Sequence, residues 1–239
     1  LFVCTFCLIS CAEEEAVVPQ EVYDLNVILP SGMSWKDRDV ISAGLNNFSS
    51  SLSGVSGDSR AADFTFKKPL SDGAVVRFPA VANPATLAIP SEQHSYCGGY
   101  DPAAVHLYGR VELKGGQVSS VELKNLMAGL KLSVKGDASL IHATLRAVAG
   151  EPVNGMFNLT QDGSVSHVKS TADSTTVVFN APLELDQDNS ADLYLPIPAM
   201  SYSKGLRLTL NDNEFRHMVV DLNLGDRQLA PDSVTEFNL

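Results

Sequence analysis

Residues 121–134 alternate apolar and polar side chains with a period of two: Val121 and Leu123 against Glu122 and Lys124, then Leu130, Leu132 and Val134 against Lys131 and Ser133. A backbone that sends successive side chains to opposite faces is a strand, and one apolar face means one buried face. The stretch predicts strand, short turn, strand. The same grammar recurs along the chain. Residues 23–29 alternate and end at Pro30, Ser31 and Gly32. Residues 74–78 follow Asp72-Gly73, residues 140–148 end before Gly150, residues 155–160 and 165–168 flank Asp162-Gly163, and Leu206, Leu208 and Leu210 alternate with Arg207 and Thr209. Asp-Gly and Pro-rich turns between such runs are hairpin and strand-end signals. No window carries a capped amphipathic helix. Strands every 8 to 15 residues predict an all-β sandwich. Residues 46–62, rich in Ser and Gly, read as a loop, and the turn at 114–116 is the expected boundary between two halves.

Charge narrows the partners. The 239 residues carry a formal net charge of −11. Phosphate backbones bind basic surfaces, so nucleic acid is excluded as an expected partner. The N-terminal eleven residues are uncharged and apolar, too short for a span of about 20 residues, and stop against Glu13, Glu14 and Glu15. An apolar run ending at small residues has the form of a signal peptide. Leu8, Ile9, Ser10 and Cys11 resemble the lipobox of bacterial lipoproteins. That resemblance implies a signal peptide over 1–10, acylation of Cys11 as the first mature residue, and lipid anchoring in the cell outer membrane. Residues 12–21 then form an acidic tether. Two readings of the Glu triplet stay open: a solvated spacer, or a signal for export to the outer face of that membrane. Loss of Cys4 and Cys7 with the signal, and acylation of Cys11, would leave Cys97 as the one thiol and no intrachain disulfide.

Catalytic constellations are not expected. Ser56 and Ser59 lie near glycines but not in a Gly-x-Ser-x-Gly elbow. His94 and Cys97 have no second pair to complete a zinc site. His142, His167 and His217 stand singly in strands. Asp186, Asp188 and Asp192 alternate, but Ala191 and Ile197 occupy the positions where a calcium loop needs Gly and Glu. No cofactor and no enzymatic activity are expected. Aromatic rings stack on sugar faces, which makes Trp35, Tyr96 and Tyr100 candidate glycan contacts, with Tyr108 a further ring to weigh; Trp35 could equally cap a core.

Taken in order, several pieces resemble the fimbrillin-like surface lipoproteins, the type V pilin group of Gram-negative bacteria. They are the lipobox, the first strand over 25–29, Trp35 followed by Asp39, Val40 and Ile41, then Ile89-Pro90 with Gln93, Asp101-Pro102, the Leu126-Met127-Ala128 step, Asn154 to Phe157, and Leu193 to Pro198. Asp37 or Arg38 stands where that group usually has Gly. The resemblance implies two transthyretin-like β-sandwich domains in tandem, over 22–115 and 116–239. It implies a role in cell adhesion or as a fimbrial subunit. In polymerising members a protease cuts after an early Arg and removes a strand, and a strand from the next subunit fills the groove. Arg38 is the candidate cleavage point here. Tyr23, Leu25, Val27 and Leu29 mark the strand that would leave. Thr235, Phe237 and Leu239 mark a donor strand, or simply the last strand of its own sheet. The implied partners are like subunits, other fimbrial proteins, and a host or bacterial surface ligand; the alternative is a monomeric lipoprotein that captures glycan. Asp173 to Thr175 and Asp232 to Val234 are similar to Asp-Ser/Thr O-glycosylation sites of bacteria carrying this group.

Overall fold

The computed structural model describes residues 23–44, 48–51, 59–81, 86–95, 99–114, 117–118, 120–159, 164–188, 190–225 and 227–239. Among the described residues the chain is all-β apart from one short 3-10 turn at Pro102–Ala104. Its earlier strands are β1 (Tyr23–Ile28), β2 (Val40–Ala43), β3 (Phe48–Ser51), β4 (Ala61–Phe66), β5 (Val75–Phe78), β6 (Thr86–Ile89), β7 (Glu92–Ser95), β8 (Leu107–Arg110), β9 (Leu113–Lys114), β10 (Gln117–Val118), β11 (Val121–Glu122) and β12 (Lys124–Asn125). The later ones are β13 (Met127–Val134), β14 (Ser139–Ala147), β15 (Gly155–Leu159), β16 (Val165–Lys169), β17 (Thr175–Glu184), β18 (Ala191–Pro198), β19 (Leu206–Asp212), β20 (His217–Leu222) and β21 (Val234–Asn238).

Two cores form, one from each half of the chain. β11-β1-β4 and β12-β8-β5-β2-β3 enclose Leu25, Val27, Trp35, Ile41, Phe64, Val76, Leu107, Val121 and Leu123. β18-β13-β21 and β20-β19-β14-β17-β7 enclose Leu130, Leu132, Ala143, Leu145, Val177, Leu193, Leu208 and Leu210. Two sheets facing across interdigitating apolar side chains form a sandwich core. Strands such as β4 bury alternate residues: Ala62, Phe64 and Phe66 face in and Ala61, Asp63 and Thr65 face out.

Three features differ from the sequence expectations. Residues 121–134 do not fold back on themselves. β11 runs parallel to β1, β12 pairs with β8, and β13 lies between β18 and β21. The change from one core to the other therefore falls between Leu123 and Ala128, beyond the turn at 114–116. Secondly, β6 and β7 leave the half in which they occur. β6 pairs with β15, and β7 runs parallel to β17 as the edge of the large sheet. Leu87 and Ile89 of β6 meet Leu126, Met127 and Phe157 in a third, smaller core. Thirdly, part of the expected Ser-rich loop is strand: β3 pairs with β2 from Val40↔Ser51 to Ala43↔Phe48. An edge strand needs backbone pairing but no apolar alternation, so Ser49 to Ser51 gave no periodic signal.

Candidate functional site

The first candidate region is β1 and the turn behind it. β1 occupies the middle of its sheet, antiparallel to β4 from Tyr23↔Phe66 to Ile28↔Ala61 and parallel to β11 at Val27 and Ile28. Leu25, Val27 and Leu29 are fully buried. On the outer face Asn26 Nδ2 donates to Asp63 Oδ1 at 2.8 Å, and Thr65 Oγ1 donates to Asp24 Oδ1 at 2.7 Å. Trp35 closes the core behind the strand. Its Nε1 donates to the Val27 carbonyl at 3.1 Å, and its ring meets Phe64 and Phe78 edge-on at 4.9 and 5.0 Å. Trp35 is 0% exposed. It therefore has no face for a sugar, and the glycan assignment at this residue is corrected: a ring held on its edges by two aromatics and on its N–H by the backbone is core.

The two early arginines have different surroundings. Arg60 Nε donates to the Leu29 carbonyl at 2.6 Å and its Nη2 to Glu122 Oε1 at 2.9 Å, so it clamps the end of β1 to β11. Arg38 lies in a turn with φ of 68°, and its side chain is 90% exposed. Asp39 builds that turn, its Oδ2 accepting from the Lys36 amide at 2.8 Å and its own amide donating to the Lys36 carbonyl at 3.1 Å. A left-handed non-glycine residue in an exposed tight turn is strained and open to solvent.

At the other end, β21 is the edge of its sheet and runs parallel to β13 from Gly129↔Val234 to Ser133↔Asn238. Phe237 and Leu239 pack on the second core, and Thr235 is half-buried. The Leu239 amide donates to the Ser133 carbonyl at 2.8 Å. Thr235 and Phe237 thus sit in the last strand of their own sheet, and Leu239 directly follows it.

Tyr100 belongs to a second region, a groove of about 600 Å³ where the two halves meet, lined by Met33, Phe78, Tyr100, Asn125, Tyr194 and Val234 among others. The Tyr100 and Tyr194 rings meet edge-to-face at 5.5 Å. Gly129 in β13 admits Tyr100: a Cβ there would fall on the Tyr100 hydroxyl. That hydroxyl is buried and has no hydrogen-bond partner among the described residues. Burial pushes its pKa up to about 12, with Tyr194 and Glu236 adding to the shift. It is a donor at neutral pH. Beside it, Lys131 Nζ lies 3.3 Å from Asp192 Oδ2 and 4.0 Å from Glu236 Oε1, and Ser133 Oγ donates to Asp192 Oδ1 at 2.6 Å. The groove thus offers aromatic edges beside a rim of mixed charge, with the Tyr100 hydroxyl itself turned against Gly129. Such a surface can hold an uncharged ring bearing hydroxyls. The paired charges on its rim suit a strong anion poorly.

The remaining candidates do not assemble. Tyr96, Cys97, Cys11 and the tether lie outside the described residues. His94 faces Asp101 at 3.7 Å, and Asp101 caps the 3-10 turn by accepting from the Ala103 amide at 2.9 Å. His167 stands against Phe157, centroids 5.4 Å apart, and away from His142 and His217. Asp192 is engaged by Ser133 and Lys131 rather than turned toward Asp186. No group of three or more metal-ligating side chains forms among the described residues, and none of their helices is long and apolar enough to cross a membrane.

Comparison with known proteins adds the fold's relatives. No protein-family model matches the sequence, and no curated protein matches it. Solved structures do. A candidate cell adhesion protein from Bacteroides ovatus superposes over 92% of this chain and 91% of its own, at 10% identity and a TM-score of 0.62. Another from Bacteroides uniformis covers 93% of this chain and 94% of its own, at 11% identity and a TM-score of 0.56. The chain shares its fold with these two. A fimbrial protein from Bacteroides ovatus aligns with 91% of this chain over 48% of its own length, at 12% identity and a TM-score of 0.47.

The Tyr100 groove was only half legible in the sequence. Tyr100 was readable as a candidate ring; Tyr194 was not, because within β18 it looks like any outward residue. Gly129 was the available signal, a glycine in the interior of an alternating strand, which marks close approach by another group.

Proposed function

We propose that this chain is a fimbrillin-like surface protein acting in cell adhesion or as a fimbrial subunit. In this reading it is built as two transthyretin-like sandwich domains whose cores change over between Leu123 and Ala128, and is held to the outer membrane by lipid on Cys11. It acts by binding, not by catalysis. The observation that carries the assembly step is the placement of Arg38. A central strand whose inner face is fully buried is followed by an arginine exposed in a strained turn, while Arg60 is committed to the strand's end. Cleavage after Arg38 would free β1, together with Trp35, from between β4 and β11. The gap would expose Phe64, Ile41, Leu107, Val121 and Leu123 and the unpaired edges of two strands. A strand from another subunit with the same alternation can fill such a gap, main-chain bonds giving affinity and alternate side chains giving register. Both proteins that share the fold are described as candidates for cell adhesion, which supports the reading.

The test is treatment of the full chain with an arginine-specific protease. Cleavage at Arg38 followed by SDS-resistant ladders and filaments is expected, and the Arg38→Ala chain should give neither. A stable monomer after complete cleavage sinks the assembly step. Labelled palmitate should be incorporated by the chain and lost in Cys11→Ala; retained label would refute the anchor.

The Tyr100 groove favours a second reading, capture of a neutral saccharide by a monomer. A glycan array should then show binding that Tyr100→Ala removes and Trp35→Phe keeps. No binding above background refutes it.

A further inference from the structure

β20 is the outer strand of the β20-β19-β14-β17-β7 sheet and, among the described residues, pairs with β19 alone, in unbroken register from Asn211↔His217 to Leu206↔Leu222. Sheet edges are normally protected by bulges, prolines or inward charges, because an open edge templates further pairing. β16, another edge, carries a register shift in its pairing with β15. β20 has no bulge and no proline, and its inward residues are Met218, Val220 and Leu222. Exposed apolar side chains stand on both of its faces, Met218 at 46% on the inner and Val219 at 50% between His217 and Asp221 on the outer, with Phe215 93% exposed at the hairpin tip.

The phase of its hydrogen bonds follows from one contact. The Asp212 amide donates to the Arg216 carbonyl at 3.1 Å, so Arg216 faces β19. In an antiparallel pair such residues alternate with residues whose N–H and C=O point the other way. His217, Val219 and Asp221 therefore direct their main-chain groups out of the sheet edge.

We propose that β20 is a self-association edge, pairing antiparallel with β20 of a second copy about a two-fold axis at Val219. The phase admits a register that uses all the outward groups. Val219 meets Val219 of the second copy and His217 meets Asp221 in both directions, giving about six main-chain hydrogen bonds. On the outer face the valines touch across the axis and each imidazole stands opposite a carboxylate. On the inner face Met218 meets Val220, which extends one core toward the other. Arg216 is already paired with Asp212 and Glu214, and Asp221 with Arg207, so the polar contact across the axis is His217 of each copy against the Arg207-held Asp221 of the other. The five-stranded sheet continues through the axis, and a two-fold closes it at two copies. This association is independent of the strand exchange proposed above: it needs no cleavage and builds no filament.

A cysteine placed at the axis, in a chain carrying Cys97→Ser so that no other free thiol competes, tests it. In full-length protein on cells, Val219→Cys should give a symmetric disulfide dimer under mild oxidation, since hydrogen-bonded pairs sit about 5.5 Å apart at Cα, within disulfide range. Val168→Cys, as exposed on another edge, is the control. Adding His217→Asp to Val219→Cys sets carboxylates opposite each other and should slow cross-linking at least about fivefold. Adding Asp221→Lys as well should restore it. His217, Val219 and Val168 are exposed; Asp221 is exposed too but accepts two hydrogen bonds from Arg207 on β19, so thermal unfolding of the chain carrying Asp221→Lys accompanies its cross-linking and must show an intact fold. Cross-linking of Val219→Cys no faster than Val168→Cys overturns the proposal, and so does a rate unmoved by the charge changes. Because uncleaved protein is used, failure here leaves protease-triggered assembly standing, and failure of that assembly leaves this interface standing.

Discussion

Replacing Trp35 by Ala measures directly whether this ring belongs to the core or to a ligand. The indole is fully buried, touches Phe64 and Phe78 through their edges, and donates to the Val27 carbonyl. Truncating a buried aromatic costs about 3–5 kcal/mol through lost burial and the cavity left behind. Loss of the N–H donor to a buried carbonyl places this site toward the upper end, about 4–5 kcal/mol. For a chain of this size each kcal/mol moves the midpoint by about 2–4 °C, so Tm should fall by roughly 8–20 °C. Trp35→Phe keeps most of the ring contact and loses the donor, and should cost about 1–2 kcal/mol. Thermal unfolding of the three proteins, followed by circular dichroism, is the assay. A fall of less than about 2 °C in Trp35→Ala would refute the core assignment. Loss of glycan binding in that variant with an unchanged midpoint would restore the ligand assignment.

Asn154 is fully buried and holds the segment before β17. Its Nδ2 donates to the Ser174 carbonyl at 2.8 Å, and its Oδ1 accepts from the Thr171 and Ala172 amides at 3.1 and 2.9 Å. Asn154→Ala should cost about 2–4 kcal/mol and raise hydrogen exchange at those two amides; unchanged exchange refutes the role. Gly155 has φ of 115°, and a Cβ there would meet the Lys169 carbonyl and the Ser170 backbone, so Gly155→Ala should lower the midpoint and part β15 from β16. Asp212 is a buried carboxylate in the β19–β20 turn. Burial alone would raise its pKa, but hydrogen bonds from the Arg216 side chain and the Arg216 and Glu214 amides outweigh that and hold it low. A depressed folded-state pKa means that the unfolded chain takes the proton first, so this contribution is present above the ordinary carboxylate range and is lost as pH falls through the folded-state value. Asp212→Asn should therefore flatten the acid limb of the stability profile, and an unaltered limb refutes it.

How far the fold was legible depended on which physical signal each element needed. β1, β13, β14 and β19 bury one face, and their alternation was readable. β3 needs only its backbone partner, and its serines looked like loop. β6 was readable as a short strand and β7 was not, its His94 and Ser95 looking irregular, and their partners β15 and β17 lie 60 or more residues later. No local pattern encodes that choice: the apolar faces of Leu87 and Ile89 fit a core on either side. In the candidate sites, Arg38 and Tyr100 could be named from sequence. That Arg38 is exposed while Arg60 is tied to Leu29 and Glu122 could not, because both are arginines in polar surroundings. Trp35 had both readings open, since only the closed shell of Phe64, Phe78 and Val27 decides between a sugar platform and a core ring.

Residues 121–134 separate the two kinds of information. Their alternation by itself determined that Val121, Leu123, Leu130, Leu132 and Val134 would be buried, and they are. Only the tertiary structure decided that the first two belong with β1 and β8 and the last three with β18 and β21. Side chains carry a periodic code for which face is dry. Main-chain donors and acceptors are the same at every residue, so the partner of a strand edge is settled by which core the chain has already brought within reach.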